Sequence, residues 1–381
     1  MDSNEISLYI LIVLCVFYIV FILLEFKLNK YYRKKINLVI HVNGIRGKSS
    51  VTRLLYAIFK GNGYNAFAKT TGTLPMYIDT KSNEILIKRS GRANIKEQLK
   101  VLKKASEEKA EVLICECMAI NPLLQKISND KIIMPNASVI TNVRMDHMDE
   151  MGDTLQKIAN SLCNVISKDS VVFTSEKEQL NQINEYAKKY NSICILNKEY
   201  EENIDDDFKE NINLVLTIGE YYNLDIKKSI YGIKKYYIKD PFSLSIYKLK
   251  NGSIFINGFS INDLYSIKSN YYYLQNKYQF EDVILLINNR FDRPLRTMQM
   301  IQFIIEMKMQ YIWITGDNKN FIKRKILKGL HVKEIKFFNN SNEIYNNMKN
   351  NKKTIFAFGN IHNQGFELVK LIKEEGEYIG R

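Results

Sequence analysis

The sequence predicts an α/β protein with a transmembrane helix at the N-terminus, a central domain built on a mainly parallel sheet, and a smaller C-terminal α/β domain. Three observations lead to this prediction. They are an uncharged apolar run near the N-terminus, strand-like runs that alternate with helical patterns from residue 36 onward, and a glycine-rich turn after the first of those strands. We therefore divide the 381 residues into a membrane anchor with a basic juxtamembrane segment (1–35), a central domain (36–245) and a C-terminal domain (246–381).

The apolar run covers residues 6 to 24, and no side chain in it carries a charge. Its length is close to the ~20 residues that a helix needs to cross the hydrocarbon core of a bilayer. The basic residues that follow it are Lys27, Lys30, Arg33, Lys34 and Lys35. The positive-inside rule then predicts an outside N-terminus and a cytoplasmic body. A signal peptide would carry its positive charges before the run; a buried core helix is the alternative left open.

Short apolar runs that are typical of buried strands follow at regular intervals. In the central domain they are Leu38–Val42, Ala66–Lys69, Val112–Cys115, Ser138–Thr141, Val171–Thr174 and Ile193–Leu196. Helical patterns between them include Ser50–Lys60, Ile95–Lys109 and Leu155–Ile166. The C-terminal candidates are Ser253–Ile256, Val283–Ile287, Tyr311–Thr315 and Thr354–Phe358. This alternation predicts a parallel sheet in each domain.

The composition narrows the classes of partner and compartment. There are 55 Lys and Arg against 41 Asp and Glu, which gives a net charge of +14. This excess favours an anionic partner, although an ordinary solvated surface is an equal alternative. The five cysteines are scattered and form no paired CxxC motif. Their pattern argues against a disulfide framework or a zinc site, and it favours a reducing compartment.

The glycine-rich turn has the sequence GIRGKS at residues 44–49 and lies between a strand and a helical pattern. Backbone N–H groups at such a turn converge on an anion, and glycine lets the backbone approach it closely. Lys48 would contact the distal phosphates and Ser49 would ligate Mg²⁺. The spacing is shorter than the standard P-loop, which would need glycine at Val42, so a plain turn is the alternative. The predicted nucleotide-binding residues here are Gly44, Ile45, Arg46, Gly47, Lys48, Ser49 and Ser50.

This shorter loop resembles the nucleotide loop of the Mur ligase superfamily. Three further segments follow in the order of that superfamily: KTTGT at residues 69–73, ECMAINP at 116–122 and TNVRMDHMDEMG at 141–152. Enzymes of the superfamily join a carboxylate to an amine and cleave ATP to ADP and phosphate. The resemblance therefore implies an ATP-dependent amide ligase of the acid–amino-acid type.

Across residues 36 to 370 the sequence is similar to the ligase subunits of poly-γ-glutamate synthases, the CapB/PgsB family. The further segments that carry this likeness are FINGFSIND, INNRFDRPLRT and GNIHNQG. Members of that family begin with one membrane segment in the place where Mur ligases carry a UDP-binding domain. This sequence has the same arrangement, with its apolar run at residues 6–24. Leu74 stands where a polar residue is expected, and the second-domain motifs match in part. These departures affect the expected substrate contacts more than the ATP site.

The resemblance assigns the metal-binding and catalytic side chains. Lys48, Glu116 and His147 are the predicted catalytic residues, with Glu116 on the same Mg²⁺ as Ser49 and with His147 on a second metal ion. Two ions would stabilise attacking and leaving oxygens together, and other divalent metals are left open. Thr71 adds a hydroxyl to the predicted metal site. An ordinary surface glutamate and a packed structural histidine are the alternatives for Glu116 and His147.

The resemblance also assigns nucleotide and substrate contacts outside the glycine-rich turn. Asn142 in the central domain, with Asn262, Asp263 and Arg290 in the C-terminal domain, would contact the nucleotide. For the basic side chains of the C-terminal domain, contact with phosphate or with the incoming carboxylate is expected, because the guanidinium fork binds such groups in a bidentate way. A solvated helix face is the alternative for these arginines. The residues whose exact roles stay open are Arg293, Arg296 and His362.

The sequence therefore predicts a membrane-anchored ligase that extends a poly-γ-glutamate chain through a γ-glutamyl phosphate, with its catalytic body in the cytoplasm. The predicted partners are glutamate, the growing polymer, the membrane and integral membrane subunits for synthesis and export, but not nucleic acid. A homo-oligomer is left open. Two alternatives stand beside this function: a cell-wall or folate-type γ-glutamyl ligase, and a membrane-tethered P-loop ATPase that acts as a switch or scaffold.

Overall fold

The computed structural model describes residues 3–72, 74–89, 91, 93–201, 209–240, 243–261, 264–280 and 283–380. The chain divides into two compact units, Met1–Lys239 and Asp240–Arg381. Each unit carries its own sheet and its own buried apolar cluster. The α/β prediction is confirmed in both.

The first unit alternates strands and helices after one long N-terminal helix. Its elements are α1 (Ser3–Lys34), β1 (Leu38–Asn43), α2 (Lys48–Gly61), β2 (Ala66–Thr70), β3 (Met76–Ile78), β4 (Glu84–Leu86), α3 (Glu97–Glu107), β5 (Val112–Glu116), α4 (Pro122–Ile127), β6 (Ala137–Ile140), α5 (Met148–Met151), α6 (Leu155–Leu162), β7 (Val171–Thr174), α7 (Leu180–Lys189), β8 (Ile193–Leu196), α8 (Lys209–Tyr221) and α9 (Ile226–Tyr236). A π-helical turn, Ser128–Ile133, follows α4, and a 3-10 turn, Cys163–Val165, follows α6.

Eight strands of the described residues form the first sheet, in the order β4-β3-β2-β5-β1-β6-β7-β8. From β2 to β8 all neighbours are parallel, whereas β3 and β4 add an antiparallel hairpin at one edge. The central strands are buried on both faces, which is why they appear in the sequence as continuous apolar runs. In a parallel sheet the carboxyl ends of the strands meet at one edge, where such folds bind ligands. We call this the carboxyl edge and the opposite side the amino edge.

Helix α1 is the one helix, within the described part of the chain, that has the length and apolarity of a membrane span. Its large apolar side chains from Leu8 to Leu24 are exposed. After Glu25 the same helix continues and packs on the unit. Asn29 Nδ2 donates to the carbonyl of Ile132 at 2.9 Å, and Arg33 Nε donates to that of Met134 at 2.8 Å.

The second unit has a similar alternation with antiparallel strands at one edge. Its elements are β9 (Ser245–Lys248), β10 (Ile254–Gly258), α10 (Leu264–Tyr278), β11 (Val283–Asn289), α11 (Pro294–Glu306), β12 (Tyr311–Gly316), α12 (Lys319–Gly329), β13 (Glu334–Phe337), α13 (Ser341–Lys349), β14 (Thr354–Gly359), α14 (Gln364–Glu375) and β15 (Glu377–Gly380). The strand order among these residues is β13-β12-β11-β14-β10-β9-β15, with β9 and β15 antiparallel to their neighbours.

Every predicted strand is present, and each limit lies within two residues of the prediction. Sequence reasoning missed the hairpin β3–β4 and the strands β9, β13 and β15. Of these, β4, β13 and β15 are edge strands, and β3 and β9 lie next to an edge. All five are only three or four residues long, so they lack the apolar run that marks a central strand.

Candidate functional site

The glycine-rich turn joins β1 to α2 at the carboxyl edge of the first sheet. Gly44 has a φ of 129° and Gly47 a φ of 80°, both in the region that favours glycine. A Cβ on Gly44 would lie 2.0 Å from Thr141 Oγ1, so no larger residue fits there. The first turn of α2 begins at Lys48, and its amides point away from the helix, as an anion site requires.

The Lys48 side chain folds back over this turn. Its Nζ donates to the carbonyl of Gly44 at 2.6 Å and to that of Ile45 at 3.3 Å. Burial lowers the pKa of Lys48, while the nearby Glu116 carboxylate opposes that shift. The ammonium group therefore lies inside the loop. A bound phosphate could replace its hydrogen bonds to the two carbonyls, because a charged acceptor binds an ammonium group more strongly than a neutral one does.

Glu116 ends β5 beside the loop and is buried. One carboxylate oxygen, Oε2, accepts a hydrogen bond from Ser49 Oγ at 2.8 Å and from the Thr71 backbone N–H at 2.7 Å. Next to it, Thr70 Oγ1 is buried and has no hydrogen-bond partner among the described residues. The structure thus brings the Ser49 and Glu116 side chains together, as the sequence predicts for a shared metal ion. Thr71, whose hydroxyl was assigned to the metal, contacts Glu116 through its backbone N–H, and its role as a ligand remains a prediction.

These groups fit a magnesium ion. Mg²⁺ prefers oxygen ligands and keeps several waters, so one carboxylate and one hydroxyl beside a phosphate are sufficient protein ligands. The buried Thr70 hydroxyl, which has no hydrogen-bond partner among the described residues, could donate to or accept from a water bound to such an ion. Within the described residues, no group of three or more His, Cys, Asp and Glu side chains forms a protein-only metal cluster.

The segment after β6 holds the loop from the other side. Asn142 Oδ1 accepts from the Arg46 backbone N–H at 3.0 Å, and Asn142 Nδ2 donates to the Arg46 carbonyl at 3.1 Å. Thr141 Oγ1 donates to the same carbonyl at 2.5 Å. In this structure Asn142 positions the loop backbone. Direct contact with the nucleotide remains a prediction.

His147 is tied to the loop through its neighbour. Asp146 Oδ2 lies 3.1 Å from an Arg46 guanidinium nitrogen and 3.7 Å from His147 Nε2, and Asp146 Oδ1 accepts from the His147 backbone N–H at 2.8 Å. His147 has a left-handed φ of 53°, an uncommon conformation for this residue type. The aspartate therefore fixes the histidine relative to the glycine-rich turn. The second metal assigned to His147 remains a prediction.

Two groups of buried charges escaped the sequence analysis. Glu176 Oε2 accepts from the Val143 backbone N–H at 2.7 Å and so anchors the segment that carries Asn142. Lys69, fully buried at the end of β2, has its Nζ 3.1 Å from Glu97 Oε1. The sequence could have indicated this pair, because Lys69 follows the apolar residues of a strand and lysine is rarely buried without a partner.

The second unit has its own polar carboxyl edge, built on two adjacent asparagines. Asn288 Nδ2 donates to the carbonyls of Asn360 at 2.6 Å and His362 at 2.9 Å, and Asn289 Nδ2 donates to the carbonyl of Asp317 at 2.9 Å. These amides join the ends of β11, β12 and β14. The pair was visible in the sequence as two amides at the end of an apolar strand, but its role was missed.

The predicted basic residues gather at that edge. Arg290 makes a bidentate pair with Asp292, at 2.9 and 2.7 Å, and this pair lowers the pKa of Asp292. Burial, followed by the charge of Arg290, lowers the pKa of His362 and so favours the neutral imidazole. Arg293 Nε is buried and lacks a hydrogen-bond partner among the described residues.

Three other predicted residues add little to this geometry. Arg296 lies in α11 and has partners of its own. Asn262 and Asp263 lie outside the described residues.

Two family models match the sequence, one on each unit. The Mur ligase middle domain matches residues 42–237. The poly-gamma-glutamate synthase CapB C-terminal domain matches residues 246–375.

Full-length relatives and solved structures agree with these matches. A capsule biosynthesis protein CapB of Bacillus anthracis is 30% identical over 97% of this chain and 83% of its own length, and a PGA synthase CapB of Bacillus subtilis is 29% identical over 96% and 98%. In fold, the chain resembles a Mycobacterium tuberculosis folylpolyglutamate synthase complexed with ADP, with a TM-score of 0.70, 11% identity, and coverage of 93% and 94%. A bifunctional folylpolyglutamate/dihydrofolate synthase with Mn, AMPPNP and L-glutamate bound has a TM-score of 0.67, 12% identity, and coverage of 91% and 93%.

Proposed function

Since the chain belongs to the CapB family of poly-γ-glutamate synthases within the Mur ligase superfamily, it is an ATP-dependent amide ligase, and we propose that it extends a poly-γ-glutamate chain at the cytoplasmic face of the membrane through a γ-glutamyl phosphate. The observation that carries the proposal is the convergence of Lys48, Ser49, Thr71 and Glu116 on the glycine-rich turn.

The reaction needs activation because a free carboxylate is a poor electrophile without a leaving group. Transfer of the γ-phosphoryl group of ATP to the terminal γ-carboxylate gives an acyl phosphate and ADP. The amine of an incoming glutamate then attacks the carbonyl carbon, the C–O bond to phosphate breaks, and the amine loses a proton. The products are a new amide bond, ADP and inorganic phosphate.

The residues of the first unit provide the charges that phosphoryl transfer requires. Negative charge spreads over the γ-phosphoryl oxygens during transfer, and fixed cations stabilise it. Lys48 supplies one cation. Ser49 and Glu116 would hold Mg²⁺, which supplies a second positive charge when bound. The Arg46–Asp146–His147 chain keeps the imidazole close to the same loop, where a second divalent ion is proposed.

The second unit offers contacts for carboxylate substrates. Arg293 has a buried donor that finds no partner within the described part of the chain, and Arg290 presents a guanidinium already oriented by Asp292. We assign these two arginines, with the neutral imidazole of His362, to the carboxylates of glutamate or of the growing chain. A poly-γ-glutamate acceptor carries one α-carboxylate per residue, which suits such a group of donors.

Helix α1 would place the enzyme at the membrane. The exposed apolar side chains before Glu25 and the basic residues after it support a single span with a cytoplasmic body. We also propose integral membrane partner subunits for export, since one span cannot form a pore. A reporter fused after residue 381 should be active as a cytoplasmic reporter, and activity on the outer side would contradict this topology.

The test of the function is ATP turnover by membranes that contain this chain and its partner subunits, measured with and without glutamate. The proposal expects phosphate release that depends on glutamate, together with incorporation of labelled glutamate into a polymer. A nucleotide switch or scaffold would release phosphate at the same rate without glutamate. A folate-type ligase would respond to a pteroylglutamate acceptor and form no long polymer. Either result would contradict the proposal.

A further inference from the structure

Two consecutive residues at the start of α3 connect the long N-terminal helix with the active-site edge. Lys96 Nζ lies 3.1 Å from Glu25 Oε1, and Glu97 Oε1 lies 3.1 Å from Lys69 Nζ. Lys69 is the second-last residue of β2 and therefore lies near the carboxyl end of that strand. Glu25 therefore lies at the carboxyl edge of the first sheet.

The other end of the docked helix lies at the opposite edge. Helix α1 ends at Lys34, and β1 begins at Leu38, whose N–H donates to the carbonyl of Glu111 at 3.0 Å. Glu111 directly precedes β5 and so marks the amino edge. From Glu25 to Lys34 the helix thus runs from the carboxyl edge to the amino edge, antiparallel to β1.

This direction fixes where the apolar part of α1 leads. Residues Ser3–Lys34 form one continuous helix, so the segment before Glu25 continues past the carboxyl edge and away from the unit. A helix rises about 1.5 Å per residue, so the run from Glu25 to Lys34 spans about 14 Å. That length is close to the height of β1, which rises about 3.3 Å per residue. The exposed apolar segment therefore begins on the side of the unit where the carboxyl edge lies.

We propose that the carboxyl edge of the first sheet, with the glycine-rich turn and Glu116, faces the inner surface of the membrane and contacts anionic lipid headgroups. This inference rests on the proposed membrane location of α1. It adds an orientation that a membrane anchor alone would not set, because an anchor on a flexible linker leaves the catalytic edge free to point anywhere. Here Asn29, Arg33 and Lys96 hold the helix against the unit.

The part of that edge around β4 and the start of α3 suits a lipid interface. Leu86 pairs with Met76 across the hairpin, and Met76 pairs with Thr70 at the end of β2, so Leu86 lies at the carboxyl edge. Leu86 is 47% exposed, Lys88 two residues further on is exposed, and Lys96, whose Nζ pairs with Glu25, is exposed at the start of α3. We call Leu86, Lys88 and Lys96 the membrane-facing patch. An exposed apolar side chain between lysines matches a bilayer interface with anionic headgroups.

The orientation has a consequence for the polymer. The acceptor chain would reach the glycine-rich turn along the membrane surface, and each new amide bond would form next to the bilayer. The product would then be released beside any membrane subunit that transports it, without crossing the cytoplasm. The lysines of the patch would also reduce the repulsion between a polyanionic product and anionic lipids.

The test uses a matched pair of fluorescent labels at opposite edges of the first unit. The carrier is the full chain with Cys15→Ser and Cys194→Ser, because the other three cysteines are buried. Ala93→Cys places a label at the carboxyl edge, just before α3 and outside the membrane-facing patch, and Glu107→Cys places one at the end of α3 near the amino edge. The protein is reconstituted in vesicles that contain phosphatidylglycerol and a lipid with a nitroxide on its headgroup. ATP turnover of both variants checks that the unit is folded.

We expect the label at residue 93 to be quenched several-fold more strongly than the label at residue 107. We also expect its quenching to weaken when phosphatidylglycerol is replaced by a zwitterionic lipid. Equal quenching at the two positions, or stronger quenching at residue 107, would overturn the orientation while the ligase function stands. Quenching that ignores lipid charge would overturn the headgroup contact. If the chain fails to remain with the vesicles, the membrane location fails, and the orientation fails with it.

Discussion

The two carboxyl edges of this protein are built from different chemistry on similar sheets. In the first unit the edge consists of a glycine-rich turn, the Lys48 ammonium and the buried Glu116 carboxylate. In the second unit no such turn follows a strand within the described residues, and the edge is organised by the amides of Asn288 and Asn289. Its cations are arginines, one of them already paired with an aspartate.

This difference separates two tasks. A compact ammonium beside a carboxylate and a helix N-terminus suits a phosphate with its metal. Planar guanidinium groups on an amide-supported edge suit carboxylates, which need directional donors more than concentrated charge. We therefore expect substitutions in the first unit to affect turnover, and substitutions in the second unit to affect the affinity for glutamate.

The largest effect is expected for Lys48→Ala. The change removes the cation placed for the γ-phosphoryl group, and the loss of one such group slows turnover by about 10²–10³-fold. The measurement is phosphate release at saturating ATP, with circular dichroism to confirm folding. Lys60→Ala in the last turn of the same helix is the matched control and should turn over normally. Normal turnover in Lys48→Ala would contradict the assignment of phosphate chemistry to the first edge.

Glu116→Gln should weaken the affinity of the first edge for Mg²⁺. Glutamine can still accept hydrogen bonds from Ser49 and Thr71 but lacks the charge that Mg²⁺ needs. We expect the Mg²⁺ concentration for half-maximal turnover to rise by about 10–100-fold. Glu111→Gln at the other end of β5 is the control. An unchanged Mg²⁺ curve for Glu116→Gln would show that another group holds the ion.

His147→Asn tests whether the first edge also serves the amide-forming step. Asparagine tolerates the left-handed backbone at this position better than alanine does, so the variant isolates the imidazole. We expect nucleotide binding to persist while glutamate-dependent phosphate release and polymer formation are lost. The exposed His331→Asn serves as control. Polymer yield at the normal level would contradict a metal-binding or catalytic imidazole.

Arg293→Lys tests whether the edge of the second unit binds the carboxylates of glutamate. The substitution keeps the positive charge but removes the guanidinium fork and its buried Nε. A charge-assisted hydrogen bond contributes about 1.5–3 kcal/mol, so KM for glutamate should rise by at least about tenfold while KM for ATP stays unchanged. Arg324→Lys on the exposed side of α12 is the matched control. A loss confined to turnover would place Arg293 with the phosphate chemistry instead.

An effect on stability, which vanishes at neutral pH, arises from the buried His41 in β1. Burial lowers the pKa of His41 to about 4, although a hydrogen bond to Asn129 opposes the shift. The unfolded chain takes up this proton near pH 6.5 and the folded chain near pH 4, so stability falls as the pH falls between those values, by about 3 kcal/mol at most. His41→Gln should flatten this part of the pH dependence in urea unfolding. An unchanged slope would show that the folded histidine titrates normally.

Much of the fold was predictable because the pattern is local. Central strands such as β1 and β5 are buried on both faces, so their apolar runs and the turn residues after them are visible in sequence. The edge strands β4 and β15 are largely exposed and escaped prediction. Of the site, the sequence supplied the residues that lie in contiguous motifs, and Ser49, Thr71 and Glu116 do meet in the structure.

The sequence by itself determined which residue types stand at the ends of the strands, because strand ends are marked by local changes from apolar to glycine and polar residues. Only the tertiary structure decided which distant groups pair. The contacts of Lys69 with Glu97, of Lys96 with Glu25 and of Glu176 with the Val143 amide join separate segments, and their geometry depends on how helices and loops pack on the sheet. The direction in which the apolar helix leaves the unit also follows from that packing. The apolar run and the basic residues after it would look the same in the sequence if the helix left from the amino edge.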